Sequence, residues 1–252
     1  VTEAARTRSA QPLVWRTVEV VRIHPETPRA KTIGLRAPDW PGHDPGQHVD
    51  VRLTAEDGYQ AQRSYSIASP PEESLLALTV ERMAEGEVSP YLVDEVRVGD
   101  TFEIRGPIGG YFRWRAEDGG PLLLVAGGSG VVPLMAMLRH RASVRSNVVT
   151  RLVYSARSLE DVLYLPELGA MRDAEKRVEI EIALTRSAPA DWQGARGRID
   201  RSLLDRPSVA ASTHPHVYVC GPNSFVERAA DLLVDIGHPA ERIRTERFGP
   251  TG

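Results

Sequence analysis

The run Leu124-Val125-Ala126-Gly127-Gly128-Ser129-Gly130-Val131-Val132-Pro133 passes from an apolar strand pattern through a glycine turn into a helix pattern. A helix start carries free backbone N–H groups and about half a positive charge, which suits a pyrophosphate, and glycines let the backbone come close. The run is not Gly-x-Gly-x-x-Gly, so a tight turn with no ligand stands as the alternative. Arg63-Ser64-Tyr65-Ser66 sets a guanidinium, a phenol and two hydroxyls in four positions. Period two puts Arg63 and Tyr65 on one strand face and Ser64 and Ser66 on the other. An arginine fork grips phosphate and a ring stacks on a flat heterocycle, while a surface arginine beside a half-buried tyrosine is the plainer arrangement.

Cys220-Gly221-Pro222 follows a late apolar strand. His216 shares the strand face of Cys220, but four residues of strand span roughly 13 Å, too far for a thiolate–imidazole pair. A buried, inert thiol is the competing assignment for Cys220. As the only cysteine, it excludes an internal disulfide and an all-cysteine iron–sulfur cluster in this chain. His214-Pro215-His216 lacks the further ligands of a zinc site, so no metal is expected.

Two kinds of element must position these groups. From Trp15 to about Arg113, short alternating runs such as Thr17–Val21, His48–Leu53, Leu76–Val80 and Thr101–Ile104 predict antiparallel strands, closed as a barrel or stacked as a sandwich. Ser89, as a cap, with Pro90 at the first helical position predicts a short helix among them. After Glu117-Asp118-Gly119-Gly120 the pattern becomes strand, helix, strand, helix. Strands are predicted at Leu122–Ala126, Val148–Tyr154, Val178–Leu184, Val217–Cys220 and Ile243–Phe248, with helices at Val132–Arg141, Leu159–Met171 and Ser224–Ile236. This implies a mostly parallel, doubly wound α/β sheet that binds ligands at its strand carboxyl ends. The domain division expected is a loose tail over 1–12, a barrel domain over 13–116 and an α/β domain over 117–252.

Composition supports a packed protein of this size. Of 252 residues, 41% are hydrophobic and 26% charged, too apolar for disorder. All but Lys31 and Lys176 of the 31 basic residues are arginine, spread along the chain with no basic stripe, so no nucleic-acid partner is expected. The longest uncharged apolar stretch, Pro121–Leu138, is broken by Gly-Gly-Ser-Gly, which argues against a membrane span. The first twelve residues lack the apolar middle of a secretory signal, so a cytoplasmic location is expected.

Four motifs in order, Arg63-Ser64-Tyr65-Ser66, Gly106-Pro107-Ile108-Gly109-Gly110-Tyr111-Phe112, Gly127-Gly128-Ser129-Gly130 and Cys220-Gly221-Pro222, resemble the ferredoxin–NADP reductase superfamily from about Trp15 onward. The resemblance implies a Greek-key antiparallel β-barrel that binds FAD, followed by the doubly wound domain for NADPH or NADH. It implies that Arg63 pairs with the FAD pyrophosphate, Tyr65 stacks on the isoalloxazine and Ser66 lies near flavin N5, with Ser64 in the same motif. The turn at Gly86, Val88 and Ser89 resembles the family's second phosphate-binding turn, although Glu85 replaces a common glycine. Ser129 would sit beside the nicotinamide, Gly128 and Gly130 along the phosphates, and Cys220, Gly221 and Pro222 at the hydride-transfer face. Glu246 and Phe248 match the terminal carboxylate and aromatic that approach the flavin, with a core position as the alternative for Phe248. Ser66, Cys220 and Glu246 are the catalytic candidates.

Coenzyme choice is read at the second strand tip of the α/β domain, where an acid binds ribose hydroxyls and an arginine an extra phosphate. Ser155 and Arg157 there favour NADPH, while Ser158 with Asp161 reads as a capping box. Arg186, at the third strand end, adds a second cation or is simply exposed. The implied reaction is hydride transfer from NAD(P)H to FAD, then electron release to an acceptor in trans, such as a small iron–sulfur protein. Reduction of free flavin or ferric chelates, a flavin-binding sensor or docking subunit without turnover, and a dehydrogenase without flavin are the rivals.

Overall fold

The computed structural model describes residues 13–248, so the predicted tail over 1–12 lies outside the described residues. Strands β1 (Trp15–Thr27), β2 (Ala30–Arg36), β3 (His48–Thr54), β4 (Gln60–Ser66) and β5 (Leu76–Glu81) come first, then helix α1 (Val88–Pro90) and β6 (Thr101–Ile108). The chain continues through β7 (Leu122–Gly127), α2 (Val131–Ser143), β8 (Thr150–Ala156), α3 (Leu165–Ala174), β9 (Val178–Leu184) and β10 (Ala195–Arg196). It ends with α4 (Arg201–Leu204), β11 (His216–Pro222), α5 (Asn223–Asp235) and β12 (Ile243–Phe248).

The first six strands pair antiparallel in the order β4-β3-β6-β1-β2-β5. An antiparallel bridge between Ile67 and Leu78 joins the two edges, so the sheet closes into a barrel. Alternation does the sorting: on β3, Val49 and Val51 enter the barrel core with Ile33, Leu78 and Ile104, while His48, Asp50 and Arg52 take the other face.

The remaining six strands are parallel, in the order β10-β9-β8-β7-β11-β12. Every residue of β7 is buried because both sheet faces are covered. Leu122, Leu124 and Ala126 pack with α2 and with Leu168 of α3, whereas Leu123 and Val125 pack with Leu204 and with Val226, Ala229 and Leu233 of α5. Strand order turns back between β7 and β11, and ligands of such sheets bind at that switch point. Helix α2 is buried nearly all round, since Ala30, Ala68 and Ala77 of the barrel half join its cluster on the side away from the sheet.

Two local expectations are corrected. The short helix begins at Val88, so Ser89 lies inside it and does not cap it. Its hydroxyl instead accepts from the Met83 N–H at 3.0 Å, and the chain winds on as a π turn over Tyr91–Glu95. The helix expected over Leu159–Met171 is split into a 3-10 turn at Leu159–Asp161 and α3 from Leu165. Tyr164 adopts left-handed φ of 59° between them, and Pro166 at the start of α3 cannot continue an earlier helix. The Ser158–Asp161 capping box is present at that 3-10 turn.

Candidate active site where barrel and sheet meet

At the switch point, two turns touch backbone to backbone. A Cβ on Gly130 would lie 2.1 Å from the Cys220 carbonyl oxygen, and one on Gly221 would lie 2.9 Å from the Phe225 ring and 3.0 Å from the Gly127 carbonyl oxygen. Gly221 also has φ of 156°. Glycine at 221 therefore serves the approach of these two turns, a reason different from leaving room for a ring. Gly128 has φ of 55° and open space where a side chain would stand, with Ser129 half-buried beside it. A 3-10 turn over Gly128–Gly130 runs directly into α2, and the Val131 N–H bonds back to the Gly128 and Ser129 carbonyls, so the start of this helical run is the glycine turn itself.

Parallel pairing of β11 with β12 sets Cys220 beside Glu246 and Pro222 beside Phe248. Phe248 is half-buried and packs against the cluster that holds α2. Pro222 is exposed. The Glu246 Oε1 atom stands 3.7 Å from His48 Nδ1, at the start of β3. His48 in turn is the cross-strand partner of Ser66, so both side chains share one face of the barrel sheet. Two barrel strands and two strands of the parallel sheet thus bring Ser66, His48, Glu246 and Cys220 together at the junction.

Burial governs their protonation. It pushes the Glu246 carboxyl up to about 7 and holds His48 below the ordinary histidine value. Glu246 is then about half protonated at neutral pH, and below that the two groups are neutral neighbours more than an ion pair. Burial, with the Glu246 carboxyl alongside, pushes the Cys220 thiol up, so a thiolate nucleophile is disfavoured. His216, the other half of that idea, is at the opposite strand end, with Nε2 3.0 Å from the Asp118 carbonyl oxygen.

Arg63 and Tyr65 share one face of the motif's strand but differ in burial. Tyr65 packs against the barrel core, and burial raises its phenol so that it stays protonated. Arg63 is exposed, and its Nη1 donates to the Gln62 carbonyl at 2.6 Å. Ser64 donates to Asp50 at 2.7 Å, and Asp50 receives Arg105 at 2.7 Å, so the Ser64 hydroxyl is committed within the barrel face. Val88 is wholly buried in the barrel core, which leaves only its backbone to meet a ligand, and Gly86 lies under the Ser89 hydroxyl.

At the strand tips of the parallel sheet, Ser155 is buried beside Gly127, while Arg157 and Arg186 are exposed. The Arg186 N–H donates to the Arg157 carbonyl at 2.9 Å, which brings the two arginines together. Reasoning from sequence missed His48, because its role depends on which strands pair. The signal was present in its place at the head of the polar series His48, Asp50, Arg52, one face of a single strand.

Residues 30–113 match the model of the oxidoreductase FAD-binding domain, and residues 124–231 that of the oxidoreductase NAD-binding domain. The ferredoxin–NADP reductase B of Sorangium cellulosum is 33% identical over 239 residues, with 91% of this chain and 96% of the relative covered. The chain belongs to the ferredoxin–NADP reductase superfamily. As a member it is an FAD-dependent NAD(P)H oxidoreductase. It is also 31% identical over 210 residues to the glycine betaine monooxygenase reductase subunit of Pseudomonas aeruginosa, with 82% of this chain covered and only 56% of that subunit's length. The superfamily fold is seen again in the FAD/NAD-binding domain of the nitric oxide dioxygenase of Vibrio cholerae, with TM-score 0.82 at 24% identity over 93% of this chain and 99% of that one.

The residues fit a flavin on the structure's own terms. Ser66 Oγ and Glu246 Oε2 are buried polar atoms with no hydrogen-bond partner among the described residues, and both flank His48. Folded proteins seldom leave buried polar atoms unpaired, and a planar heterocycle with donor and acceptor atoms would satisfy both.

Proposed function

We propose that this reductase draws on NADPH in preference to NADH and passes electrons to a separate small iron–sulfur protein. The observation that carries the coenzyme half is the Arg157–Arg186 pair at the strand tips, exposed and joined through their backbones. Neither side chain has an acidic partner among the described residues, and the nearby Asp161 is committed to its capping box. A phosphate on the ribose would meet two forked guanidinium groups there. The acceptor half is supported by relatives named as a ferredoxin–NADP reductase and as the reductase subunit of a monooxygenase.

FAD, when bound, accepts a hydride from the nicotinamide and releases electrons one at a time to a carrier. The chain's own part is to bind, orient and exclude water. Arg63 swings from the Gln62 carbonyl to the FAD phosphates, which the backbone at Gly86, Val88 and Ser89 also meets, and Tyr65 supplies a ring face. Ser66, with its hydroxyl unpaired, orients the reacting edge, and the Glu246 carboxyl, raised to about 7, exchanges a proton around neutrality. The turn Gly128-Ser129-Gly130 would receive the dinucleotide, with Ser155 by its ribose end and Cys220, Gly221 and Pro222 walling the nicotinamide. Phe248 closes the same side.

Rapid-mixing reduction with NADPH and NADH side by side tests the coenzyme half. Turnover with a ferredoxin panel against free flavin and ferric chelates tests the acceptor half. Equal rates with both coenzymes, or turnover with small acceptors alone, would overturn the corresponding half.

A further inference from the structure

Tyr164 is a tyrosine in the left-handed region, with φ of 59°, and only 2% exposed. A non-glycine residue there carries local strain, which persists only when its surroundings over-determine it. Those surroundings lie in the other half of the molecule. The phenol donates to Thr79 of β5, Thr79 lies 2.7 Å from Thr32 of β2, and Thr32 donates to Glu26 of β1 at 2.6 Å. The direction of the chain follows from its end. Glu26 accepts the one Thr32 proton, so Thr32 must accept from Thr79, and Thr79 must accept from Tyr164. Burial keeps the Tyr164 phenol protonated, as the donor role needs.

A second strap lies alongside. Arg139 of α2 has its guanidinium carbon 4.8 Å above the Tyr164 ring and is held by both Glu167 oxygens at 2.9 and 2.6 Å. Its remaining nitrogen donates to the Ala68 carbonyl at 2.8 Å. Both straps end next to Ser66. Ala68 is two residues beyond it, and Thr79 follows Leu78, the bridge partner of Ile67. The Ala68 N–H also donates to the Ala77 carbonyl at 2.8 Å. At its other end α2 begins at the Gly128–Gly130 turn. Helix α2 therefore ties the strand end that bears Ser66 to the Gly128–Gly130 turn, and the hydroxyl chain ties β5 to Tyr164, over whose ring Arg139 of that helix sits.

We propose that Tyr164, Thr79 and Arg139 are positioning residues for hydride transfer, fixing the spacing of the two ring sites across the domain junction. This rests on the placement of the flavin beside Ser66 given above. A misplacement of about 1 Å between reacting groups costs up to about a hundredfold in rate, so losing one strap should be visible.

Tyr164→Phe and Thr79→Val remove single hydroxyls, and Thr79→Ser retains one. Both Phe and Val variants are expected to slow flavin reduction roughly tenfold in rapid mixing with NADPH, with FAD content and KM unchanged. They should also weaken the charge-transfer absorbance of the flavin–nicotinamide pair. The double variant should lose no more than either single one, and Thr79→Ser should behave as wild type. In the apoprotein, hydrogen exchange at residues 66–69 should rise in both. Wild-type reduction and charge-transfer absorbance in the Phe and Val variants, additive losses in the double variant, or a Thr79→Ser variant as slow as Thr79→Val would overturn the proposal. Ser66→Ala separates the two readings. If it leaves reduction unchanged the flavin placement fails, whereas if it alone slows reduction the straps do.

Discussion

Glu246 Oε1 and His48 Nδ1 face each other at 3.7 Å, one from the last strand of the parallel sheet and one from the third strand of the barrel. Burial lifts Glu246 from the ordinary 4.5 to about 7. Between these values the folded protein holds a proton that the unfolded chain has released, so stability falls as pH rises through the window and stays lowered above it. Glu246→Gln has no charge to bury. It is expected to exceed wild type in stability at about pH 8 by on the order of 2 kcal/mol, with the gain vanishing below about pH 4.5. Thermal melts of the two apoproteins across that range check it, and a constant offset at all pH values would refute it.

Ser66 has a buried hydroxyl with no partner among the described residues. Ser66→Ala is therefore expected to leave stability within about 0.5 kcal/mol of wild type, since no hydrogen bond is lost from the protein itself. Flavin reduction should slow roughly tenfold, the equivalent of about 1.4 kcal/mol in the barrier. Denaturant melts and rapid-mixing traces on the same preparation separate the two effects.

Arg157 and Arg186 sit together at the strand tips. Replacing both with alanine should raise KM for NADPH at least about tenfold and leave NADH kinetics unchanged, since a charge-assisted contact is worth about 1.5–3 kcal/mol. Equal losses with the two coenzymes would show that neither arginine meets the extra phosphate.

Gly130→Ala would set a methyl group 2.1 Å from the Cys220 carbonyl oxygen, a backbone atom in the middle of a sheet that cannot retreat. A loss of about 3 kcal/mol or more is expected in urea unfolding, with FAD content falling alongside. Gly58→Ala, where nothing stands within 4 Å but φ is 88°, serves as the comparison for backbone strain alone.

Much of this architecture is written locally. The predicted strands Val178–Leu184 and Ile243–Phe248 are the observed ones, because each is a β-rich run between clear breaks. Strand β2 was not singled out, since Gly34 interrupts its apolar run, and β10 and α4 are too short to leave a periodic trace. Pro166 was a local sign of the break before α3, whereas the partner that holds the Tyr164 side chain is 85 residues away, which no local window contains. The site followed the same rule. Ser66 and Glu246 were singled out by residue type and motif, whereas His48 became visible only once β3 was paired with β4. Gly221 was singled out as leaving room for a ring, and the Phe225 ring and the Gly127 carbonyl add a packing reason for glycine there.

The backbone contacts of Gly130 with Cys220 and of Gly221 with Gly127 weld two turns into one floor beneath the proposed coenzyme site. Neither can shift or gain a side chain without displacing its neighbour. The rim is different, for Arg157 and Arg186 project from tips with room around them. If the rim meets the ribose as proposed, evolution or an engineer retunes which dinucleotide is accepted by rewriting it, while the floor keeps the same form whatever stands upon it.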